Sequence, residues 1–274
     1  MSGDHGRFSA FKLTVELPLA LRAEGPLLIK GPDAFVPDAP DMAFIRYPTD
    51  YGDVPFLPGS SLKGVLRSGV EMLLRGLGER ACRVTDEQDR CKQAENRCRA
   101  CLLFGSTEGA SVVLVEDGLP WPPGAADEER SEAARGIEER RALRAGVGID
   151  RQTGSVRVGP FDYEVLSGVR FYPTVRLRNP EPWQAAALAA GLELLDEGVL
   201  RLGSGTTKGL GRVRVEAKQV RLLALEEAQA EELATTGRLS VPSREGLFLS
   251  YTAVDGRAVL ERWGEALPGW LRDA

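Results

Sequence analysis

The four cysteines of this 274-residue chain, Cys82, Cys91, Cys98 and Cys101, fall within twenty residues of one another. Cys98-Arg99-Ala100-Cys101 sets two thiols at the spacing that grips one metal ion from a tight turn, and the upstream pair completes a tetrahedral four-thiolate set for zinc. Four ligands leave no position for water, so such an ion is structural. The segment that carries them, 78–101, is charged and too poor in apolar residues to order itself by burial, which is the task the ion would perform. The competing reading is a set of unconnected thiols, or one redox pair made from the closing CxxC.

Histidine is nearly absent. His5 is the only one, in the polar lead-in, so a Ser-His-Asp triad, a Cys-His dyad or an imidazole-rich metal site has nothing to build on. The apolar stretches are short; Ala185 to Leu195 is about half a bilayer span and is interrupted by Glu193, so no membrane span is expected. The N-terminus lacks a signal-peptide layout, and the expectation is a cytoplasmic protein whose cysteines are thiols or metal ligands rather than disulfides.

The net charge of −5 argues weakly against nucleic acid, but it is unevenly spread. Between Arg201 and Arg221 six basic residues (Arg201, Lys208, Arg212, Arg214, Lys218, Arg221) face Glu216 alone, while Glu226, Glu227, Glu231 and Glu232 concentrate acid just beyond. A basic stripe on an acidic body suits a subunit with one nucleic-acid face.

Phe11, Leu13, Val15 and Leu17 alternate with polar residues and predict a strand near 10–18. The Pro-, Gly- and Asp-rich stretch from Pro26 to Phe56 predicts a long functional loop carrying a short hairpin or strand. Leu62, Val65, Leu66, Gly69, Val70, Leu73 and Leu74 lie at helical spacing, predicting a helix to about Leu77 with Ser60 or Ser61 as N-cap. Leu102–Phe104 and Ser111–Val115 look β-like. Asp127 to Arg144, with six acids and five arginines, predicts an exposed helix or a mobile segment. Short strands follow at Val147–Ile149, Val156–Val158, Asp162–Val165 and Val169–Arg176, then a helix from Trp183 to Glu197, then a strand over Arg212–Lys218. That order is a split βαβ, an α+β, RRM-like or ferredoxin-like fold.

Leu202-Gly203-Ser204-Gly205-Thr206-Thr207-Lys208-Gly209-Leu210-Gly211 offers close backbone approach to a phosphate, with a lysine beside it. It is not a P-loop: the G-x-x-x-x-G-K-[ST] order is absent and it runs from helix into strand. A plain flexible turn is the alternative.

Four blocks occur in an order that resembles the RAMP superfamily, most like the backbone subunit of type III CRISPR effector complexes. They are Pro58-Gly59-Ser60-Ser61-Leu62-Lys63-Gly64 running into a helix with Arg67; Cys101-Leu102-Leu103-Phe104-Gly105-Ser106; Ile149-Asp150-Arg151-Gln152-Thr153-Gly154; and the Gly203–Gly211 loop. The resemblance implies a single RAMP domain over 1–274, with a zinc-binding insertion at 78–101, a thumb hairpin at 145–176 and an unassigned extension at 221–274. It implies guide-RNA contacts from Gly59, Ser60, Ser61, Lys63, Arg67, Arg151, Gly203, Gly205, Thr206, Thr207, Lys208 and Gly209. Asp150 and Arg151 could instead pair with each other. The partners implied are guide RNA, target RNA, other effector subunits and further copies of the chain. It also implies slow cleavage of paired target RNA, with Mg²⁺ or another divalent metal held by a loop aspartate: Asp41, with Asp38 and Asp33 less favoured. The chain departs from the family at Leu28, where histidine is frequent, and at Lys30, where glycine is. The alternatives are a non-catalytic RNA-binding or assembly subunit of the same complex, and a guide-processing endonuclease, which the single His5 disfavours.

Overall fold

The computed structural model describes residues 9–32 and 40–273. The predicted first strand runs on past residue 18. β1 (Leu13–Ala23) keeps Leu13, Val15, Leu17, Leu19 and Leu21 on a buried face, and it is long enough to act as the spine of the sheet. Its first half pairs antiparallel with β8 (Thr174–Arg178) on one side and β10 (Val220–Ala224) on the other. Its second half pairs with β9 (Val213–Ala217) and β7 (Arg170–Phe171). β4 (Val113–Val115) flanks β8, and β12 (Phe248–Ala253) and β11 (Ser243–Glu245) extend beyond β10, giving the order β11-β12-β10-β1-β8-β4. The strands β10-β1-β8-β4, with α1 (Gly59–Gly76) after β1 and α4 (Pro182–Asp196) after β8, form the split βαβ unit expected from the order of elements.

The helices cover one face. α1 buries Leu62, Leu66, Val70 and Leu74, spaced three or four apart, as an amphipathic helix requires. It begins at Gly59 behind Pro58, and no side chain caps it. The predicted caps Ser60 and Ser61 already lie inside the helix, and the free Gly59 N–H is taken by Asp117 Oδ1 at 2.7 Å. α4 packs between α1 and α6 (Gly256–Asp273), which is why its apolar residues face nearly all round. Trp263 of α6 is fully buried and its indole N–H donates to Leu233 O at 3.0 Å in α5 (Glu231–Gly237). Residues 221–274 thus finish the sheet edge and the helix layer.

The outer face of the sheet carries charge. Glu116, just past β4, pairs with Arg176 of β8; Arg176 reaches Glu16 of β1 at 2.9 Å; Glu16 reaches Arg221 of β10 at 3.5 Å; and Arg221 contacts Ser250 of β12 at 3.4 Å and Glu245 of β11. This ladder crosses the six strands in sheet order. A second set joins Arg212 and Arg214 to Glu24 at 3.3 and 3.4 Å, and Arg214 to the buried Asp196 at 3.3 Å. Three of the six basic residues between Arg201 and Arg221, namely Arg212, Arg214 and Arg221, are therefore paired with acids brought from elsewhere in the fold, which reduces the free positive charge read from the sequence. Among the described residues, the strands β1, β4, β8 and β10 carry none of the aromatics with which an RRM sheet stacks on bases.

Three excursions leave the core. Residues 46–55 form the short hairpin of β2 (Arg46–Thr49) and β3 (Gly52–Pro55). Leu102–Phe104 is not a strand: it closes α2 (Arg99–Phe104), a short helix entered directly from Cys98. α3 (Asp127–Glu138) then leads into a hairpin of β5 (Arg141–Ile149) and β6 (Val156–Leu166), which pairs with no strand of the main sheet. No helix among the described residues is long and apolar enough to cross a membrane.

Candidate nucleic-acid interface and metal centre

The four cysteines are all buried, and their Sγ atoms lie within 4.8 Å of one another. A zinc ion with Zn–S bonds of about 2.3 Å needs sulfurs roughly 3.8 Å apart, so the cluster has the right size. Cys82 Sγ and Cys101 Sγ are 3.4 Å apart, and backbone amides already point inward: Cys82 N–H donates to Cys98 Sγ at 3.4 Å and Cys98 N–H to Cys91 Sγ at 3.2 Å. A hydrogen bond from the Cys101 thiol pushes Cys98 down to about 4, and the same bond drives Cys101 up. Burial raises Cys82. Crowded sulfurs hold one bare thiolate by sharing protons; a divalent cation is what lets four ionise together. The donor set fits a structural metal such as zinc, held by Cys82, Cys91, Cys98 and Cys101, which would tie together a segment with little core of its own.

Lys63 and Arg67 serve this scaffold. Lys63 Nζ donates to Ser111 Oγ at 2.8 Å and Val113 O at 3.1 Å, and burial, helped by the Arg67 charge, depresses its ammonium below the usual range. Arg67 donates to Glu71 at 2.8 Å, to Gly105 O at 2.8 Å and to Cys101 Sγ at 3.2 Å, so it fixes a ligand sulfur against α1. Their side chains are spent inside the fold. Gly59 is buried, while Ser60 is exposed and Ser61 half-buried beside it.

The Gly-rich loop lies on the strand-like stretch after β1. Ser204 N–H donates to Leu28 O at 2.7 Å, and Gly203, at φ 81°, lies so close that a Cβ there would come within 2.1 Å of that carbonyl. Thr206–Lys208 form a 3₁₀ turn between two left-handed glycines, Gly205 and Gly209, with Thr207, Lys208 and Gly209 exposed. Lys208 Nζ stands 5.9 Å over the ring of Phe161 on β6. Phe161 in turn fills the space left by Gly146 on β5 and is 6.4 Å from Tyr163. Neither aromatic was expected from the sequence, although their two-residue spacing placed them on one strand face.

Asp41 is exposed, and its Oδ2 accepts from Asp162 N–H at 2.8 Å, next to Phe161. Met42 N–H and O bond β6 on either side of Tyr163, at Asp162 O (3.1 Å) and Glu164 N (2.9 Å). Below them Glu164, 2 % exposed, accepts from Phe44 N–H at 3.0 Å and from Arg46 at 2.9 Å, while Arg46 also holds Glu138 at 2.6 Å. Asp41, the hairpin root and the Gly-rich turn are thus brought to one place. Asp38 and Asp33, like His5, lie outside the described residues. Arg151 is at the far tip of the hairpin. Asp150 there accepts from the Gln152 and Thr153 amides at 2.8 and 3.0 Å and lies 3.7 Å from Arg157, so its contacts are with neighbours other than Arg151.

Among the described residues the only group of three or more His, Cys, Asp or Glu side chains close enough to hold one ion is the cysteine cluster. Asp41 stands as a single carboxylate, outside any such group of three among the described residues. No curated protein matches the chain significantly. The family model of the RAMP superfamily matches residues 21–214, which run from the end of the spine strand through both helices of the split βαβ unit, the cysteine insertion, the hairpin and the Gly-rich loop, and the chain belongs to that superfamily.

Proposed function

We propose that the chain is a guide-RNA-binding backbone subunit of a type III CRISPR RNA-targeting complex, and that cleavage of the paired target, where it occurs, depends on Asp41. Membership of the RAMP superfamily supports a CRISPR-associated RNA-binding subunit. The observation that carries the finer reading is the convergence of Asp41, Phe161, Tyr163 and Lys208 on the root of the hairpin. A lysine offers a phosphate contact, glycines at 203, 205 and 209 let backbone approach RNA, and two neighbouring rings offer a stacking surface that accepts any base. Such sequence tolerance is what a subunit needs if it carries guides of many sequences.

Asp41 keeps one carboxylate oxygen on the Asp162 amide and presents the other outward. The residue is held in orientation before RNA arrives. Replacing Asp41 with Ala in the assembled complex should leave RNA binding intact and abolish cutting. Cutting at the normal rate and spacing would remove Asp41 from the reaction. Intact RNA with wild-type Asp41 would point instead to the non-catalytic assembly role.

A further inference from the structure

A cleft of about 500 Å³ opens on the cysteine-bearing insertion, lined by Glu79, Arg80, Arg90, Lys92, Gln93, Asn96, Arg97 and Arg99, with Cys91 and Cys98 in its wall. We propose that this cleft binds the phosphodiester backbone of single-stranded RNA, as a second contact separate from the Gly-rich turn. The inference rests on the RNA-binding reading above.

Charge comes first. Five cations line the cleft against one acid, and two of them are already paired, Arg90 with Glu87 at 3.6 Å and Arg99 with Glu79 at 3.0 Å. A divalent ion with four thiolates keeps a net charge of about −2, so some of that positive charge offsets the cluster, but an excess remains. Arg80 reaches only Asn96 O at 3.5 Å, and Lys92 is exposed; neither forms an ion pair among the described residues. Contrast the sheet face, where arginine after arginine is matched by an acid.

Pre-organisation comes second. Arg99 donates to Glu79 at 3.0 Å and to Leu271 O at 2.9 Å, and its guanidinium stacks 5.2 Å from the Trp183 ring, so one wall is fixed by α4 and α6. Cys91 and Cys98 anchor the other wall in the buried four-cysteine cluster. The cations that meet a ligand are thus mounted on an ordered frame, which reduces the entropy lost on binding.

The chemistry of the lining selects the ligand class. Gln93 and Asn96 add amide donors, and no exposed apolar or aromatic side chain lines the cleft. Protein partners are anchored by buried aromatic and aliphatic groups, which are missing here, whereas forked guanidinium and amide donors match phosphate oxygens. The volume falls within the roughly 300–1,000 Å³ of ligand clefts, more than one inorganic phosphate needs, and suits a run of nucleotide units.

The test measures binding of a labelled single-stranded RNA to the full-length protein across a salt series, with wild type and an Arg80→Ala/Lys92→Ala variant. The variant should bind more weakly, and the slope of log affinity against log salt should flatten by about 1.4, at ~0.7 for each phosphate no longer neutralised, with zinc content unchanged. An unchanged slope with zinc retained overturns the inference. Should the double variant lose zinc, Lys92→Glu alone, at an exposed residue, reads the same slope, and the same two outcomes apply. Adenosine monophosphate bound by wild type and released by the variant, with the RNA slope unchanged, would make the cleft a mononucleotide site and also overturn it. So would failure of the variant to bind a poly-glutamate peptide that wild type holds, with RNA binding untouched, which would mark a protein surface. A wild-type protein that binds no RNA defeats the proposed function itself, whereas a wild type that binds and a variant that binds equally defeats this inference alone.

Discussion

The cysteine insertion and the β5–β6 hairpin are both polar excursions from the same core, and they are ordered by opposite means. The insertion has no sheet or long helix of its own, yet all four cysteines are buried and two arginines of α1 bond to it, Arg67 at the Cys101 sulfur and Arg75 at the Ala81 carbonyl. The hairpin is paired from Arg141–Leu166 to Ile149–Val156, with a break in register between Gly146 and Ile149, but outward from its root it has almost no burial: Ile149, Val156 and Val158 are each more than half exposed. A metal cluster makes a segment rigid at its centre. A hairpin clamped on its inner half by Glu164, Arg46, Asp41 and the Met42 backbone is rigid at its base and compliant at its tip, the form expected of an arm that meets something outside the protein.

The largest expected effect tests the insertion. If the cluster holds zinc, elemental analysis should find about one zinc per wild-type chain and none in Cys98→Ser, and the variant should be destabilised by more than the ~3 kcal/mol upper range of ordinary substitutions. A chain that stays fully folded after chelation would break the contrast. Next, Glu164→Ala should cost about 2–3 kcal/mol in denaturant unfolding, because it leaves the buried Phe44 amide without its acceptor and takes one of the two carboxylates from Arg46. A loss below ~0.5 kcal/mol would mean that the root is held elsewhere. At the interface, Phe161→Ala should weaken RNA binding by about 1–3 kcal/mol if a base stacks there, with Lys208→Ala reducing the salt slope by ~0.7. Equal binding by both variants would move the RNA surface away from the hairpin root. Smallest of all, Ile149→Ser at the exposed tip should change stability by no more than about 0.5 kcal/mol, and a larger loss would show that the tip is packed rather than compliant.

Where local pattern decides structure, the sequence was legible. Leu13 to Leu17 and the Leu62–Leu74 spacing point to β1 and α1 because each buries one face against a single layer. α4 was readable for a different reason: Pro182 and Gly198 bracket it, while its apolar residues face in every direction. Leu102–Phe104 misled because three apolar residues carry no period, and what fixes them as helix is the turn entering from Cys98. The basic stripe misled more deeply. Charge counted along a chain ignores partners brought from Glu16, Glu24, Asp196 and Glu245 by strand pairing, and Lys63 and Arg67 look surface-facing until Ser111, Val113 and Cys101 are placed beside them. The cysteine cluster was the most readable feature of the candidate sites, since its chemistry is carried by residue type and short spacing. The Phe161–Lys208 contact was the least, since it joins segments 47 residues apart through a turn and a hairpin root.

The charged ladder across the sheet has a consequence for how the chain tolerates change. Glu16 is shared between Arg176 and Arg221, and each of those holds a further acid, so no rung is an independent pair. Neutralising Glu16 leaves two arginines facing each other across β1, and the harm is relieved only by altering them as well. The positions 116, 16, 176, 221 and 245 therefore form one unit of inheritance, scattered over 230 residues of sequence yet free to drift only together.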